Sequence, residues 1–283
     1  AGANRYRLIN WTVTGDVTFP TLINRRLGIL SNISYPFSSL GTVDYEAGVS
    51  VNTAGITPSS TGVSYGQMIM GTSIATGQLL WNVSTDVTKG YEGSFSTSTS
   101  IADHGKFALR LNDGHWHCWD LQTGKQLWVS ELSSHPWGIW GIYGVSSAYG
   151  LLIYPQYDGV VAYDWDNGKI VWRYQYVAQY PYETVYSDAN YPFYQSVVRI
   201  ADGVVYTAND EHSVSNPIPR GWRLHAINAT DGTGIWNITG SMAAGGVADG
   251  YLTAANRDGY LYVFGKGKSE TAITSSPKTI ANG

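Results

Sequence analysis

The chain has 283 residues, with 21 acidic and 17 basic side chains and a formal net charge of −4. Charged residues make up 13%, against about 25% in an average soluble protein, while aromatics reach 13% and glycine supplies 33 residues. This balance excludes intrinsic disorder and a nucleic-acid binder built on a basic patch, and the single cysteine, Cys118, excludes a disulfide framework.

Near the start, Trp11 lies in NWTVTG, which resembles NITG at Asn237–Gly240. The likeness predicts a strand that ends one sheet and completes a last sheet begun by residues 241–264. The segment 12–80 leaves room for part of another unit. From there four segments align without gaps: GTSIATGQLLW, CWDLQTGKQLW, AYDWDNGKIVW and AINATDGTGIW, ending at Trp81, Trp128, Trp172 and Trp236. Counted back from each tryptophan, position −4 is Gly77, Gly124, Gly168 or Gly232, and position −5 is Thr76, Thr123, Asn167 or Asp231. Position −8 is Ser73, Asp120, Asp164 or Asn228, and the small position −10 is Gly71, Cys118, Ala162 or Ala226. The tryptophans stand 47, 44 and 64 residues apart, a blade-sized period with one insertion of about 20 residues. A fifth copy, DGYLYVFGKG from Asp258, matches DGVVAYD from Asp158 and stops before any tryptophan.

The clearest unit predicts four strands at Ile139–Val145, Leu151–Tyr154, Val160–Asp164 and Ile170–Tyr174. Asp158-Gly159 and Asn167-Gly168 between the later ones are hairpin signals. A four-stranded meander cannot bury both faces alone, and radial stacking covers each face with the next sheet. Residues at −8 and −5 can bond the turn's own backbone, and the glycine at −4 permits a left-handed conformation. The tryptophan then docks neighbouring blades, burying a large ring while its N–H seeks a carbonyl. The fold class is all-β: a propeller of four-stranded antiparallel blades, five to seven of them, over residues 1–265. The stretch Trp137–Tyr157 carries no charge, but its glycines, serines and Pro155 predict short buried strands rather than a membrane span. The Ser/Thr/Pro-rich tail 266–283 reads as a linker or the start of a further domain.

At these residues the chain resembles the PQQ-like (quinoprotein alcohol dehydrogenase-like) propeller family, whose repeat reads A-x-D-x-x-T-G-x-x-x-W. Ala162, Asp164, Gly168 and Trp172 match it, with Asn167 in place of Thr. The wording around Asp44–Gly48, Glu211–Ser213 and Ile227–Thr230 is most similar to archaeal cell-surface members. The resemblance implies the fold. For function it allows quinone dehydrogenases, outer-membrane assembly propellers and surface propellers without a known ligand.

Candidate chemistry is thinner. A quinone dehydrogenase of this kind often carries an adjacent-cysteine disulfide, which one cysteine cannot form, and most acidic residues of the repeats fall at turn positions. His115 and His117 alternate along a strand beside Cys118 and could share a metal. Cys118, however, takes the small −10 slot, so its packing role is the stronger, and no metal ligand, catalytic residue or cofactor is assigned. The 174–222 insertion is rich in aromatics, and Tyr180, Tyr182, Tyr186, Tyr191, Glu211, His212 and Trp222 form the candidate surface for a ligand or partner. Sequons at Asn10, Asn32, Asn82, Asn228 and Asn237 are glycosylation candidates that point to an extracellular chain. The expectation is a secreted or cell-surface structural or interaction module without a redox cofactor. It would meet a protein or glycan partner, or assemble with itself, and would bind no nucleic acid. The competing class is an enzyme, either a quinoprotein dehydrogenase or a glycan-acting hydrolase.

Overall fold

A computed structural model describes residues 6–14, 26–57, 60, 66–86, 99–111, 113–132, 144–156, 159–175, 198–208, 223–240 and 242–267. Every element among them is a strand, and none is a helix long and apolar enough to cross a membrane. The protein is a β-propeller built of antiparallel sheets. Blade one is β3 (Thr42–Asp44), β4 (Val49–Ile56), β5 (Gly66–Ser73) and β6 (Leu79–Thr85). Blade two is β7 (Ser100–Asp103), β8 (Lys106–Arg110), β9 (Trp116–Asp120) and β10 (Gln126–Val129). Blade three is β11 (Ser146–Ala148), β12 (Leu151–Gln156), β13 (Gly159–Asp164) and β14 (Ile170–Tyr174). Blade four is β15 (Arg199–Ala201), β16 (Val204–Ala208), β17 (Arg223–Asn228) and β18 (Gly234–Thr239), so two of its strands fall within 174–222. Among the described residues blade five has three strands, β19 (Met242–Ala248), β20 (Tyr251–Asn256) and β21 (Leu261–Gly265), and a hairpin of β1 (Tyr6–Thr14) and β2 (Arg26–Tyr35) precedes blade one. The first strands of successive blades touch one another, which sets them around the axis.

Turn chemistry explains how one repeat makes one blade. In blade two the Asp120 carboxylate accepts the amides of Gln122 and Thr123, and the Thr123 hydroxyl accepts Lys125 N–H. The Thr123 hydroxyl bond, with the two amides, holds the Asp120 carboxyl below its usual pKa despite some burial. Ser73, Asp164 and Asn228 do the same work in the other blades. The glycine at −4 then turns left-handed, with φ of 72°, 70°, 72° and 75° at Gly77, Gly124, Gly168 and Gly232. Across the ladder, Gly71, Cys118, Ala162 and Ala226 each pair with their own blade's tryptophan. A Cβ on Gly71 would lie 2.2 Å from the Trp81 ring, which is why position −10 stays small.

Four details differ from the sequence expectations. Gly144 and Val145 are not in a strand, and β11 begins only at Ser146; Ile139–Tyr143 lie outside the described residues. Asn167-Gly168 is not a two-residue hairpin. It closes a longer turn, Trp165–Gly168, whose left-handed glycine is followed by a bulge opposite Ala162/Tyr163. The two-residue turns join first and second strands instead, at His104-Gly105, Tyr149-Gly150, Asp202-Gly203 and Asp249-Gly250, where both residues have positive φ. Finally, β1 pairs with β2 rather than joining the last sheet.

The core is a series of interblade layers, not one central mass. Phe107, Leu109 and Trp119 pack on Val49, Ile69 and Trp81 between blades one and two. Trp116 and Cys118 pack on Tyr154, Tyr163 and Trp165 between two and three, and comparable clusters follow between three and four and between four and five.

Candidate functional site

The three joints between blades one and four are built from the same atoms. The Trp81 indole N–H donates to Leu121 O at 2.6 Å, Trp128 to Trp165 O at 3.0 Å, and Trp172 to Ala229 O at 2.9 Å. The acceptor is always the residue at −7 of the next blade. Its own amide donates to the glycine carbonyl of that blade's first hairpin, at Gly105, Gly150 and Gly203. The ring lies against the next blade's −4 glycine: a Cβ on Gly124, Gly168 or Gly232 would sit 2.6–2.7 Å from it. The sequence contained no hint of the −7 carbonyl, because any residue supplies one.

Trp236 differs. Trp81, Trp128 and Trp172 are 8%, 8% and 6% exposed, but Trp236 is only half-buried. It packs between Tyr206, 6.1 Å away, and Phe264, at 5.7 Å and nearly parallel. Beside it opens a cleft of about 340 Å³ whose walls include Val204, Tyr206, Ile235, Trp236, Leu252 and Phe264. Asp202 and Lys266 form an ion pair at its lining. This is an apolar space with one charged pair, near the lower end of ligand-pocket volumes of about 300–1,000 Å³.

The histidine–cysteine group does not converge. His115 Nδ1 lies 2.7 Å from Ser130 O, and His117 Nε2 lies 2.8 Å from Asp113 Oδ2 with its other nitrogen 3.1 Å from Gln126 Nε2. Burial raises the Asp113 carboxyl, but hydrogen bonds from His117 and the His115 amide outweigh it and leave its pKa below the usual value. Cys118 is fully buried in the layer between blades two and three, and burial pushes its thiol up to about 12. Among the described residues no three His, Cys, Asp or Glu side chains could hold a metal together. A second buried histidine, His225, stands at −11 in blade four as His117 does in blade two. Burial, with Arg223 nearby, lowers its pKa to about 3, and the Tyr174 hydroxyl of blade three is 3.1 Å from its Nδ1.

Of the other sequence candidates, Asn32, Asn82 and Asn237 are exposed. Asn32 and Asn237 accept from Arg7 and Arg223 respectively. Asn228 is half-buried and its carbonyl is used by the Thr230 amide; the Asn10 side chain is not described. Tyr180, Tyr182, Tyr186, Tyr191, Glu211, His212 and Trp222 lie outside the described residues.

The repeated turn, the indole peg and the radial layers define a repeat β-propeller. A family sequence model described as outer membrane protein assembly factor BamB (PQQ_2) matches residues 120–275, more than half the length. The chain belongs to that family. No curated protein matches the sequence. Among solved structures it is similar to BamB from Moraxella catarrhalis, at 16% identity over 77% of this chain and 61% of that one, TM-score 0.46. It is also similar to the quinohemoprotein alcohol dehydrogenase from Comamonas testosteroni, at 14% identity over 78% and 42%, TM-score 0.48. Sqt1 from Saccharomyces cerevisiae follows at 12% identity over 72% and 56%, TM-score 0.45. The chain thus spans about three fifths of the Moraxella protein.

Proposed function

We propose that this propeller is a secreted or cell-surface interaction module without a redox cofactor, of the kind found among archaeal surface members of its family. The observation that carries it is how the repeats use their polar groups. Asp120 and Asp164 cap their own turns, Asp44 binds the Gly105 amide of the next blade, and the repeat indoles at Trp81, Trp128 and Trp172 are pegs. Carboxylates so engaged are poor candidates for a shared Ca²⁺ site, which needs six to eight oxygens. Rigid blades are suited to carrying loops that bind. The aromatic insertion, with Tyr180, Tyr182, Tyr186, Tyr191, Glu211, His212 and Trp222, is the surface assigned to a protein or glycan partner. Glycans at exposed Asn32, Asn82 and Asn237 would solubilise a chain with few charges.

Three measurements test it. Protein incubated with PQQ and Ca²⁺ should emerge from gel filtration without the quinone absorbance; a retained chromophore overturns the non-redox reading. Glycan-array binding should be lost when Tyr182 and Trp222 are both changed to alanine, and unchanged binding removes the insertion as the surface. Intact mass from the native source should exceed the bare sequence mass, and equality with it removes the glycoprotein claim.

A further inference from the structure

Among the described residues the fifth blade carries an open ladder edge. In blades one to four the residue after the first hairpin pairs with position −8, as Val49↔Ser73, Lys106↔Asp120, Leu151↔Asp164 and Val204↔Asn228. In blade five the equivalent pair is Tyr251↔Gly265. Gly265 therefore holds position −8 and Val263 position −10, one residue later than the sequence match from Asp258 implied. Val263 is where a fourth strand would set the residue that is tryptophan elsewhere. Among the described residues β21 pairs only with β20, and Leu261 and Val263 are 68% and 59% exposed. Trp236 of blade four and the cleft between blades four and five lie beside it.

The opposite end of the molecule holds a complementary strand. Ile9–Gly15 reads I-N-W-T-V-T-G, in phase with G-I-W-N-I-T-G at Gly234–Gly240. Trp11 thus falls on Trp236 and Thr14-Gly15 on Thr239-Gly240, so β1 carries the sequence of a blade's fourth strand. Its ladder partner is β2 on one edge, and among the described residues the other edge is unpaired. The hairpin also stands at the station of a preceding blade. A Cβ on Gly77 would lie 2.5 Å from Ser34 O of β2, where the equivalent glycines of blades two to four meet the previous blade's indole. Tyr35 fixes that position through a 2.7 Å bond to Ser50.

We propose that this protein associates head to tail with a second copy of itself: the β21 edge of one molecule takes the β1 edge of the next, with Val263 in backbone register with Trp11 and Leu261 with Val13. The product is one sheet, β19-β20-β21 followed by the next copy's β1 and β2. That sheet stands directly before the next copy's blade one, so the interblade interface already present within the chain continues between chains. Unpaired strand edges favour such augmentation, and an interface between unlike ends closes into a ring or extends as a filament. The copy rather than the same chain is chosen because the hairpin is tied to blade one, and among the described residues no ladder joins it to blade five. The inference concerns the two ends and goes beyond the ligand surface assigned above.

Val13→Cys and Leu261→Cys chains, purified separately, mixed and mildly oxidised, should give a disulfide dimer that neither gives alone; buried Cys118 does not compete. Absence of the mixed dimer overturns the proposal, including the outcome in which only the double variant closes an internal loop. A second measurement leaves the hairpin intact. The unaltered chain should show a sedimentation mass that rises with concentration. The Leu261→Lys, Val263→Lys chain should stay at the mass of one chain with unchanged far-UV circular dichroism. An unaltered chain that stays at one-chain mass throughout overturns it equally.

Discussion

The joint between blades two and three and the joint between blades four and five start from the same tryptophan in the same repeat, yet they are different objects. At the first, Trp128 is buried, donates to Trp165 O and lies on Gly168. At the second, Trp236 has the same register to its own third strand, Ala226↔Trp236, but blade five offers it Phe264 and a cleft. The difference lies in the receiving blade. Gly265 stands where Asp, Asn or Ser caps the turn, and no T-G-x-x-x-W follows it. A peg is only as good as the socket made by the next repeat.

Truncating the pegs should break the comparison most visibly. Trp128→Ala should cost about 3–5 kcal/mol, as for large aromatic-to-alanine changes in a core, and Trp236→Ala about 1–2 kcal/mol because its ring is only half-buried. Urea unfolding reads both, and equal losses would erase the distinction. Glycine replacements separate backbone from packing. Gly168→Ala meets the left-handed penalty of about 1–2 kcal/mol and an overpacking cost of about 1–3 kcal/mol against Trp128. Gly105→Ala, with φ of 71° and open space around it, should meet the first alone; thermal melts that rank Gly105→Ala as the worse would refute the socket account.

The joint between blades three and four should show itself in acid. His225 titrates near its ordinary value of about 6.5 when unfolded and at about 3 when folded. Between those values the unfolded chain binds more protons, so stability falls as pH drops from about 6.5 toward 3 and is unaffected above. The loss should reach about 2 kcal/mol at pH 5. His225→Gln should flatten that slope, and an unchanged slope would move the titration elsewhere. The smallest expected signal is at Cys118. A thiol reagent at pH 8 should label none of it in the folded chain, and labelling at the rate of a free thiol would mean that the layer between blades two and three opens.

Much of this was legible in the residues themselves. The −8, −5 and −4 positions are local: side chains at −8 and −5 bond amides two or three residues away and the glycine at −4 turns left-handed beside them, so their spacing survives in the linear text. Small residues opposite tryptophan were equally readable, since one turn sets their register. What escaped was non-local or carried by backbone. The primed turns at His104-Gly105 and Tyr149-Gly150 left only an Xaa-Gly pair behind, less conspicuous than Asn-Gly. The candidate aromatic surface was legible as composition alone, and its arrangement lies outside the described residues.

By itself, then, the sequence determined the blade: its four-strand period, the residues that cap its repeat turn and the small residue set against each tryptophan. These depend on contacts within some ten residues, where chain connectivity already sets the distances. Only the tertiary structure decided which joint is sealed and which stays open, that β1 pairs with β2, and that the frame of blade five is shifted by one residue. Those outcomes turn on carbonyls and strand edges that the fold brings together from separate parts of the chain, as between Trp81 and Leu121, 40 positions apart. A backbone acceptor leaves no mark in the identity of the residue that carries it.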